Sequence, residues 1–118
     1  MDWESAKQKL LNNIEKGSKI DPNSAIREVL VSPSSSFDGY KVKTSVKGTF
    51  VTITIEMLQD VFIKTKENKN IYNRSVIYDL CRKQVETHSC YVHVVGHIFT
   101  YAGVMKKVDK RNFQLLKE

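Results

Sequence analysis

The residues with the clearest chemical potential lie in one segment, THSCYVHVVGHIFTYAGV, at residues 87–104. Cys90, His93 and His97 are spaced at i, i+3 and i+7, so on a helix they would share one face. Thiolate and imidazole groups are good zinc ligands, and His88 could add a fourth. The spacing matches no established zinc pattern, however, and HVVGH lacks the glutamate of the metalloprotease signature HExxH. The alternative interpretations are a helix face that contacts nucleic acid and a solvent-exposed polar face with no role.

The positive charge of the chain is concentrated in its last third. The 118 residues include 19 Lys and Arg against 13 Asp and Glu, which gives a net charge of +6. Residues 70–118 carry eight of the bases, four of the acids and all three histidines. A basic region of this kind favours a polyanionic partner such as DNA or RNA, although a basic surface that only keeps the protein soluble is the alternative.

Length and composition predict one globular core. The chain is 41% hydrophobic and 27% charged, and 118 residues are enough for a core without disulfide bonds. The two cysteines, Cys81 and Cys90, fit a reducing compartment better than a disulfide framework. The N-terminus has no apolar signal core, and no apolar run is long enough to cross a bilayer. We therefore expect a cytoplasmic protein that does not associate with membranes.

The first half of the chain predicts a helix and a hairpin. Apolar residues recur at helical spacing over residues 3–14, and Gly17 supplies a stop. Residues 25–32 are ambiguous between helix and strand, since a Pro precedes a run of Val and Leu. Two strand-like segments follow at residues 40–45 and 49–54, and their short connection predicts a β-hairpin.

The second half changes from a period of two to a period of 3.6. Thr54 can cap a helix over residues 55–66, and the inward face of this helix is predicted to comprise Ile55, Leu58, Val61, Phe62 and Thr65. A second helix is predicted over residues 74–86, followed by the short connection ETHS. A third helix is predicted over residues 90–102, with Ser89 as its N-cap and Gly103 at its end. The residues of the second helix predicted to face the core are Val76, Ile77, Leu80, Cys81 and Val85. The predicted apolar face of the third helix comprises Tyr91, Val92, Val94, Val95, Ile98, Phe99 and Ala102. A strand, a turn near residues 109–111 and a final strand complete the chain.

This order of elements, over about residues 49–118, resembles a winged helix-turn-helix domain. The resemblance rests on the helix at 74–86, the ETHS turn, the CYVHVVGHIFTYAGV helix and the basic hairpin MKKVDKRNFQLL. It implies an α+β fold in which an N-terminal helix and β-hairpin, residues 1–48, precede a three-helix winged domain, residues 49–118, with a C-terminal hairpin wing. In such domains the third helix enters the major groove and the wing lies along the DNA backbone.

The resemblance also implies which residues contact DNA. On the exposed face of the third helix they are His93, Gly96, His97 and Thr100, and in the wing they are Lys106, Lys107, Lys110 and Arg111. Arg82 and Lys83 can neutralise phosphates beside the wing, and Ser89 at the start of the third helix completes the set. The helix face contains no Arg, Lys, Asn or Gln, which are the commonest readers of base edges. Sequence-specific recognition is therefore the weaker part of the expectation.

Two functions follow from these observations. The first is a protein that binds double-stranded DNA, as a regulator or an accessory of a DNA-processing system. The second is a non-enzymatic protein-interaction module on the same scaffold, which could form a homodimer through the N-terminal helix or hairpin. Asp60, Glu67 and Lys69 resemble a nuclease motif only superficially, because they fall in a helix and a linker. With no phosphate-binding loop and no nucleophile elbow, we expect no catalysis, no cofactor and no metal.

Overall fold

The computed structural model describes residues 1–24 and 26–117, which form an α+β fold of five helices and two small antiparallel sheets. The helices are α1 (Trp3–Asn13), α2 (Ile55–Glu67), α3 (Arg74–Leu80), α4 (Arg82–Thr87) and α5 (Tyr91–Tyr101). The strands are β1 (Val29–Val31), β2 (Gly39–Lys43), β3 (Phe50–Thr54), β4 (Ile71–Tyr72), β5 (Met105–Lys107) and β6 (Phe113–Leu115). The α+β class predicted from the sequence is confirmed.

The first sheet contains the predicted hairpin and one further strand. Strands β2 and β3 pair antiparallel, with Val42 opposite Val51, and β1 pairs with the other side of β2. The ambiguous segment 25–32 therefore contains a strand at Val29–Val31, whereas Ala25 lies outside the described residues. The period-two pattern buries one face of the hairpin, because successive side chains of a strand point to opposite sides. The hairpin residues buried in this way include Tyr40, Val42, Val51 and Ile53.

Helix α2 forms as the sequence predicts. The Thr54 hydroxyl accepts a hydrogen bond from the Met57 amide at 3.1 Å, so the predicted cap is confirmed. The predicted inward face is confirmed as well. Its members Ile55, Leu58, Val61, Phe62 and Thr65 are all buried.

The helix predicted over residues 74–86 is interrupted at Cys81. The backbone there has φ −136° and ψ 46°, which separates α3 from α4. The chain can turn with little loss of backbone hydrogen bonds, because the Cys81 amide still donates to Ile77 O and Cys81 O still accepts from the Val85 amide. Leu80 is 41% exposed, so its predicted inward position is wrong. Periodicity continues through the break at residues 77, 81 and 85, and for that reason the sequence pattern did not reveal it.

The second sheet anchors the C-terminal hairpin to the body of the protein. Strands β5 and β6 pair antiparallel, as predicted, with Met105 opposite Leu115. Strand β4 lies on the other side of β6, with Tyr72 opposite Phe113, so the strand order is β4-β6-β5. The sequence did not predict β4, because two residues are too few to show a period. Gly103 ends α5 with φ +86°, a conformation that favours glycine.

The core is shared between residues 1–48 and the remainder of the chain. A continuous cluster of buried apolar residues includes Leu10 and Tyr40 from the first part and Phe99 from the second. The amide nitrogen Nδ2 of Asn13 donates to Ala102 O at 2.7 Å, which ties the end of α1 to the end of α5. The N-terminal part therefore packs directly on the second part, a point that the sequence left open.

Candidate nucleic-acid interface

Helix α5 forms where the sequence predicts it, but it begins differently. All seven residues of its predicted apolar face are buried. Its N-cap is Cys90, which makes no side-chain capping hydrogen bond, so the capping role predicted for Ser89 is wrong. The Tyr91 amide donates to His88 O at 2.9 Å, and this backbone turn leads the chain into the helix without a side-chain cap.

Gly96, predicted on the exposed face of α5, lies against strand β6 instead. A Cβ atom at this position would come within 2.5 Å of Cε1 of Phe113, so the ring occupies the space that any larger side chain would need. Gly96 is buried, and Phe113 is only 1% exposed. The predicted exposure of Gly96 is therefore wrong, because the hairpin folds back over this part of the helix.

His97 is covered by the same strand and by the N-terminal part of the chain. Its side chain is 12% exposed, and its ring lies edge-on to Phe113, with 6.0 Å between centroids. Nδ1 lies 3.8 Å from Oδ2 of Asp21, which is too far for a hydrogen bond, and no described residue supplies another partner. Burial lowers the pKa of His97 below its usual 6.5, and the Asp21 carboxylate only partly opposes this shift. The predicted exposed position of His97 is wrong.

Thr100, the last residue of the predicted face, is half-buried. Its hydroxyl donates to Gly96 O at 2.8 Å, one turn back along the same helix. The proton that would donate to a base or a phosphate is therefore used within α5. Of the four helix residues predicted to contact DNA, only His93 is fully exposed.

A groove of about 720 Å³ opens where the start of α3, the start of α5 and the turn of the C-terminal hairpin meet. It is lined by Asn73, Arg74, Ser75, Ser89, Cys90, Val92, His93, Arg111 and Asn112. Two guanidinium groups, one imidazole and two hydroxyls line it, and none of the nine side chains is a carboxylate. Such a groove suits an anionic ligand, because guanidinium groups bind phosphate oxygens in bidentate fashion.

The floor of the groove is held by a chain of hydrogen bonds. Asn73 Nδ2 donates to Asn112 Oδ1 at 3.0 Å, and Asn112 Nδ2 donates to both carboxylate oxygens of Asp109 at 3.0 Å. Asp109 also accepts from the Arg111 amide at 2.8 Å, a hydrogen bond that lowers the pKa of its carboxyl group. The turn that carries Arg111 is therefore fixed to the start of α3.

A second arrangement orders the arginines of α3 and α4. The ring centroid of Tyr78 lies 4.8 Å from the guanidinium carbon of Arg74 and 5.0 Å from that of Arg82. The Tyr78 hydroxyl donates to Glu86 at 2.6 Å, and this bond raises the pKa of Tyr78. Arg82, which the sequence predicted as a phosphate contact, therefore contacts the same aromatic ring as Arg74, which lines the groove.

Sequence reasoning found part of this site. It predicted three groove residues, Ser89, His93 and Arg111, and missed Arg74 beside them. The signal for the missing part was present, since Asn73 caps α3 by accepting from the Ser75 amide, and Asn at an N-cap is a recognisable start signal. The other predicted bases are exposed but do not line the groove. They are Arg82 and Lys83 on α4, Lys106 and Lys107 on β5, and Lys110 in the turn.

The comparisons with known proteins do not identify the class of this protein. No family model, no curated protein and no solved structure matches the chain. Within residues 1–24 and 26–117, no three His, Cys, Asp or Glu side chains are grouped so that they could hold a metal ion. Over the same residues, no helix has the length and apolar character needed to span a membrane.

Proposed function

We propose that this protein binds double-stranded DNA as a winged helix-turn-helix protein, acting as a regulator or an accessory of a DNA-processing system. The observation that carries the proposal is the groove between α3, α5 and the hairpin turn, where Arg74, His93 and Arg111 converge without a carboxylate among the lining residues. Phosphate contacts supply most of the affinity of DNA-binding proteins, and clustered, uncompensated bases are their structural requirement. The proposal retains the cytoplasmic location expected from the sequence.

The arrangement of the second sheet supports the winged-helix part of the proposal. Helix α2, strand β4, the α3–α4 pair, helix α5 and the β5–β6 hairpin follow one another along the chain. Because β4 pairs with β6, the hairpin is held beside α5 and its turn reaches the groove. A hairpin fixed in this way can lie along a DNA backbone while the start of α5 approaches the bases.

The roles of the groove residues follow from their chemistry. Arg74, Arg82 and Arg111 are assigned to phosphates, because they are exposed, always charged and held by the Tyr78 stack and the Asp109 turn. His93 is the helix residue that reaches out toward a base edge. One exposed imidazole reads little sequence, so the proposed binding discriminates weakly among sequences.

The test measures how salt weakens binding to a random duplex. Fluorescence anisotropy of a labelled duplex, titrated between about 50 and 200 mM salt, gives the slope of log K against log salt. In the double variant Arg74→Glu, Arg111→Glu, we expect weaker binding to all sequences and a slope flatter by about 2, because two phosphate contacts are lost.

The matched control carries the same change of net charge elsewhere. Lys9 on α1 and Lys47 in the turn between β2 and β3 are exposed and do not line the groove. The double variant Lys9→Glu, Lys47→Glu should keep the slope of the wild type. Equal losses in both double variants would mean that net charge alone attracts DNA, and undetectable binding at low salt would remove the proposal.

A protein-interaction module is the second candidate, and one surface favours it. Ile63 on α2 and Leu80 at the end of α3 are 47% and 41% exposed and line one shallow depression with Asp60 and Glu67. Two apolar side chains exposed side by side are a common feature of contact surfaces. For a homodimer through the N-terminal helix or hairpin, the exposed apolar residue on α1 is Leu11, at 40%. Sedimentation velocity distinguishes these modes, since Leu80→Ser or Leu11→Ser would abolish self-association that depends on the residue.

A further inference from the structure

The outer face of the first sheet has a composition unlike that of an ordinary solvent-facing sheet. Along β2 and β3, the side chains that alternate with the buried ones point away from the core. These outward residues are Lys41, Lys43, Phe50 and Thr52. Phe50 is 46% exposed, so it contributes a large apolar surface that the core does not use. We call Phe37, Lys41, Lys43 and Phe50 the outer-face cluster.

Cations and aromatic rings alternate within this cluster. The Nζ atom of Lys41 lies 5.4 Å from the ring centroid of Phe37 and 5.3 Å from that of Phe50, so the ammonium group is within cation–π distance of both rings. Lys43 lies directly opposite Phe50 in the β2–β3 register. Two positive charges and two aromatic rings are therefore collected on one side of a rigid hairpin.

The charges of the cluster are only partly compensated by neighbouring acids. In the part of the chain that the structure describes, neither Lys41 nor Lys43 forms an ion pair. Glu28, whose charge is felt by Lys43, is already bonded to Lys19 at 2.8 Å. Residues 37–54 contain three lysines and a single carboxylate, that of Asp38. The face is thus complementary to an anionic ligand that also has an apolar surface.

We propose that the outer-face cluster is a second binding site, for the unpaired nucleotides of a single-stranded nucleic acid. The ring of Phe50 would stack on a base, while Lys41 and Lys43 would neutralise the adjoining phosphates, which is the combination that sequence-tolerant single-strand binding requires. A duplex does not meet this requirement, because its bases already stack on one another and their faces are not accessible. A protein partner with acidic and apolar side chains is the alternative occupant, and failure of the wild type to bind a single strand would favour it.

This site is separate from the groove between α3, α5 and the hairpin turn. No residue of the outer-face cluster lines that groove, and the two surfaces are built on different sheets. The inference therefore does not rest on duplex binding, and either proposal can fail without the other.

The test compares a single strand with a duplex under the same conditions. Anisotropy is measured with a labelled oligothymidylate of about 12 nucleotides, a length within the range of known single-strand sites, and with a blunt duplex. Phe50→Ala should weaken binding of the single strand about tenfold, because one base loses its stacking partner, and leave binding of the duplex unchanged. Phe50→Leu should have a similar effect, since it keeps an apolar side chain but removes the aromatic face.

The control and the contrary outcomes use the same hairpin. Val46 is 77% exposed in the turn before β3, so Val46→Ala removes exposed apolar surface without touching the cluster and should change nothing. Far-UV circular dichroism checks that each variant is folded. Failure of the wild type to bind the oligothymidylate, equal effects of Phe50→Ala and Val46→Ala, or equal loss of single-strand and duplex binding would each overturn the inference. So would a wild-type dimer that Phe50→Ala converts to monomers, because the face would then be an interface between two copies.

Discussion

His93, Gly96 and His97 lie on one polar arc of helix α5, and the two ends of this arc have different environments. At the start of the helix, His93 is exposed and borders the groove. One turn further on, Gly96 lies under the ring of Phe113, and His97 lies between that ring and Asp21. Residues that share one arc of a helical wheel therefore differ completely in their access to a ligand.

This difference in exposure arises because a helical wheel does not show which other segments pack over the helix. The wheel compares residues only with their own helix, whereas the covering groups belong to β6 and to the loop that contains Asp21, both distant in sequence. The missing side chain at Gly96, which suggests close approach to DNA, instead allows close approach of the Phe113 ring. A helix face with small or polar side chains therefore indicates that something contacts it, but does not show whether that partner is DNA or another part of the same chain.

The largest change in the free energy of unfolding should come from removing the ring of Phe113, which covers Gly96 and His97. Phe113→Ala deletes a ring that contacts Gly96, His97 and Tyr72, and we expect the free energy of unfolding to fall by about 3–5 kcal/mol. At the open end, Arg111→Ala should change it by no more than about 0.5 kcal/mol, because its side chain is exposed. Urea denaturation measures both. Similar losses in the two variants would show that the covered end is not distinct.

A smaller effect should come from filling the space beneath the ring. In Gly96→Ala, the new Cβ would come within 2.5 Å of Phe113, and we expect destabilisation of about 1–3 kcal/mol. An exposed glycine in the middle of a helix would give the opposite sign, because alanine there stabilises by roughly 1 kcal/mol. The sign of the change in thermal denaturation therefore decides between a covered and an open Gly96. His93→Ala, at the open end of the same arc, is the matched control and should be close to neutral.

The smallest effect should be the pH dependence that His97 adds to stability. Burial lowers its pKa in the folded state below the usual 6.5, so the unfolded chain takes up a proton more readily than the folded protein does. The contribution of His97 is therefore complete above about pH 6.5 and is lost as the pH falls below that value. The groups facing the ring are Asp21, Lys107, His93 and Arg27, of which only the first favours the proton.

The corresponding measurement compares the melting temperatures of the wild type and His97→Gln between about pH 7.5 and 5.5. The wild type should lose more stability than the variant over this range. A variant at residue 97 with the same profile as the wild type would show that its imidazole is not held in the neutral form.

Much of the fold could be predicted from local patterns. The period of 3.6 in α1, α2 and α5, the period of two in the β2–β3 hairpin and the cap at Thr54 are properties of neighbouring residues, and each prediction is confirmed. The errors in predicting the elements occurred where the local sequence pattern carries no information. Strand β4 has only two residues, and the break at Cys81 preserves both the apolar spacing and the hydrogen bonds on its two sides.

The candidate site was predicted less completely than the fold. The excess of bases in the last third of the chain predicts an anionic partner, and three of the residues predicted to contact DNA, Arg111, His93 and Ser89, line one groove. Arg74 was missed, because its place beside Arg111 depends on the hydrogen bonds between Asn73, Asn112 and Asp109. That connection joins residues 39 positions apart, and no local pattern encodes it.

The sequence by itself determined most of the elements, their main apolar faces and the sign of the charge, because period, capping and composition act over a few residues. Only the tertiary structure decided which part of the polar arc of α5 stays open, since that depends on β6 and on the loop around Asp21 folding back onto the helix. It also decided that Arg74 and Arg111 border one groove and that Lys41 lies close to two aromatic rings. Such pairings arise because close packing brings distant segments together, and packing depends on the whole chain at once.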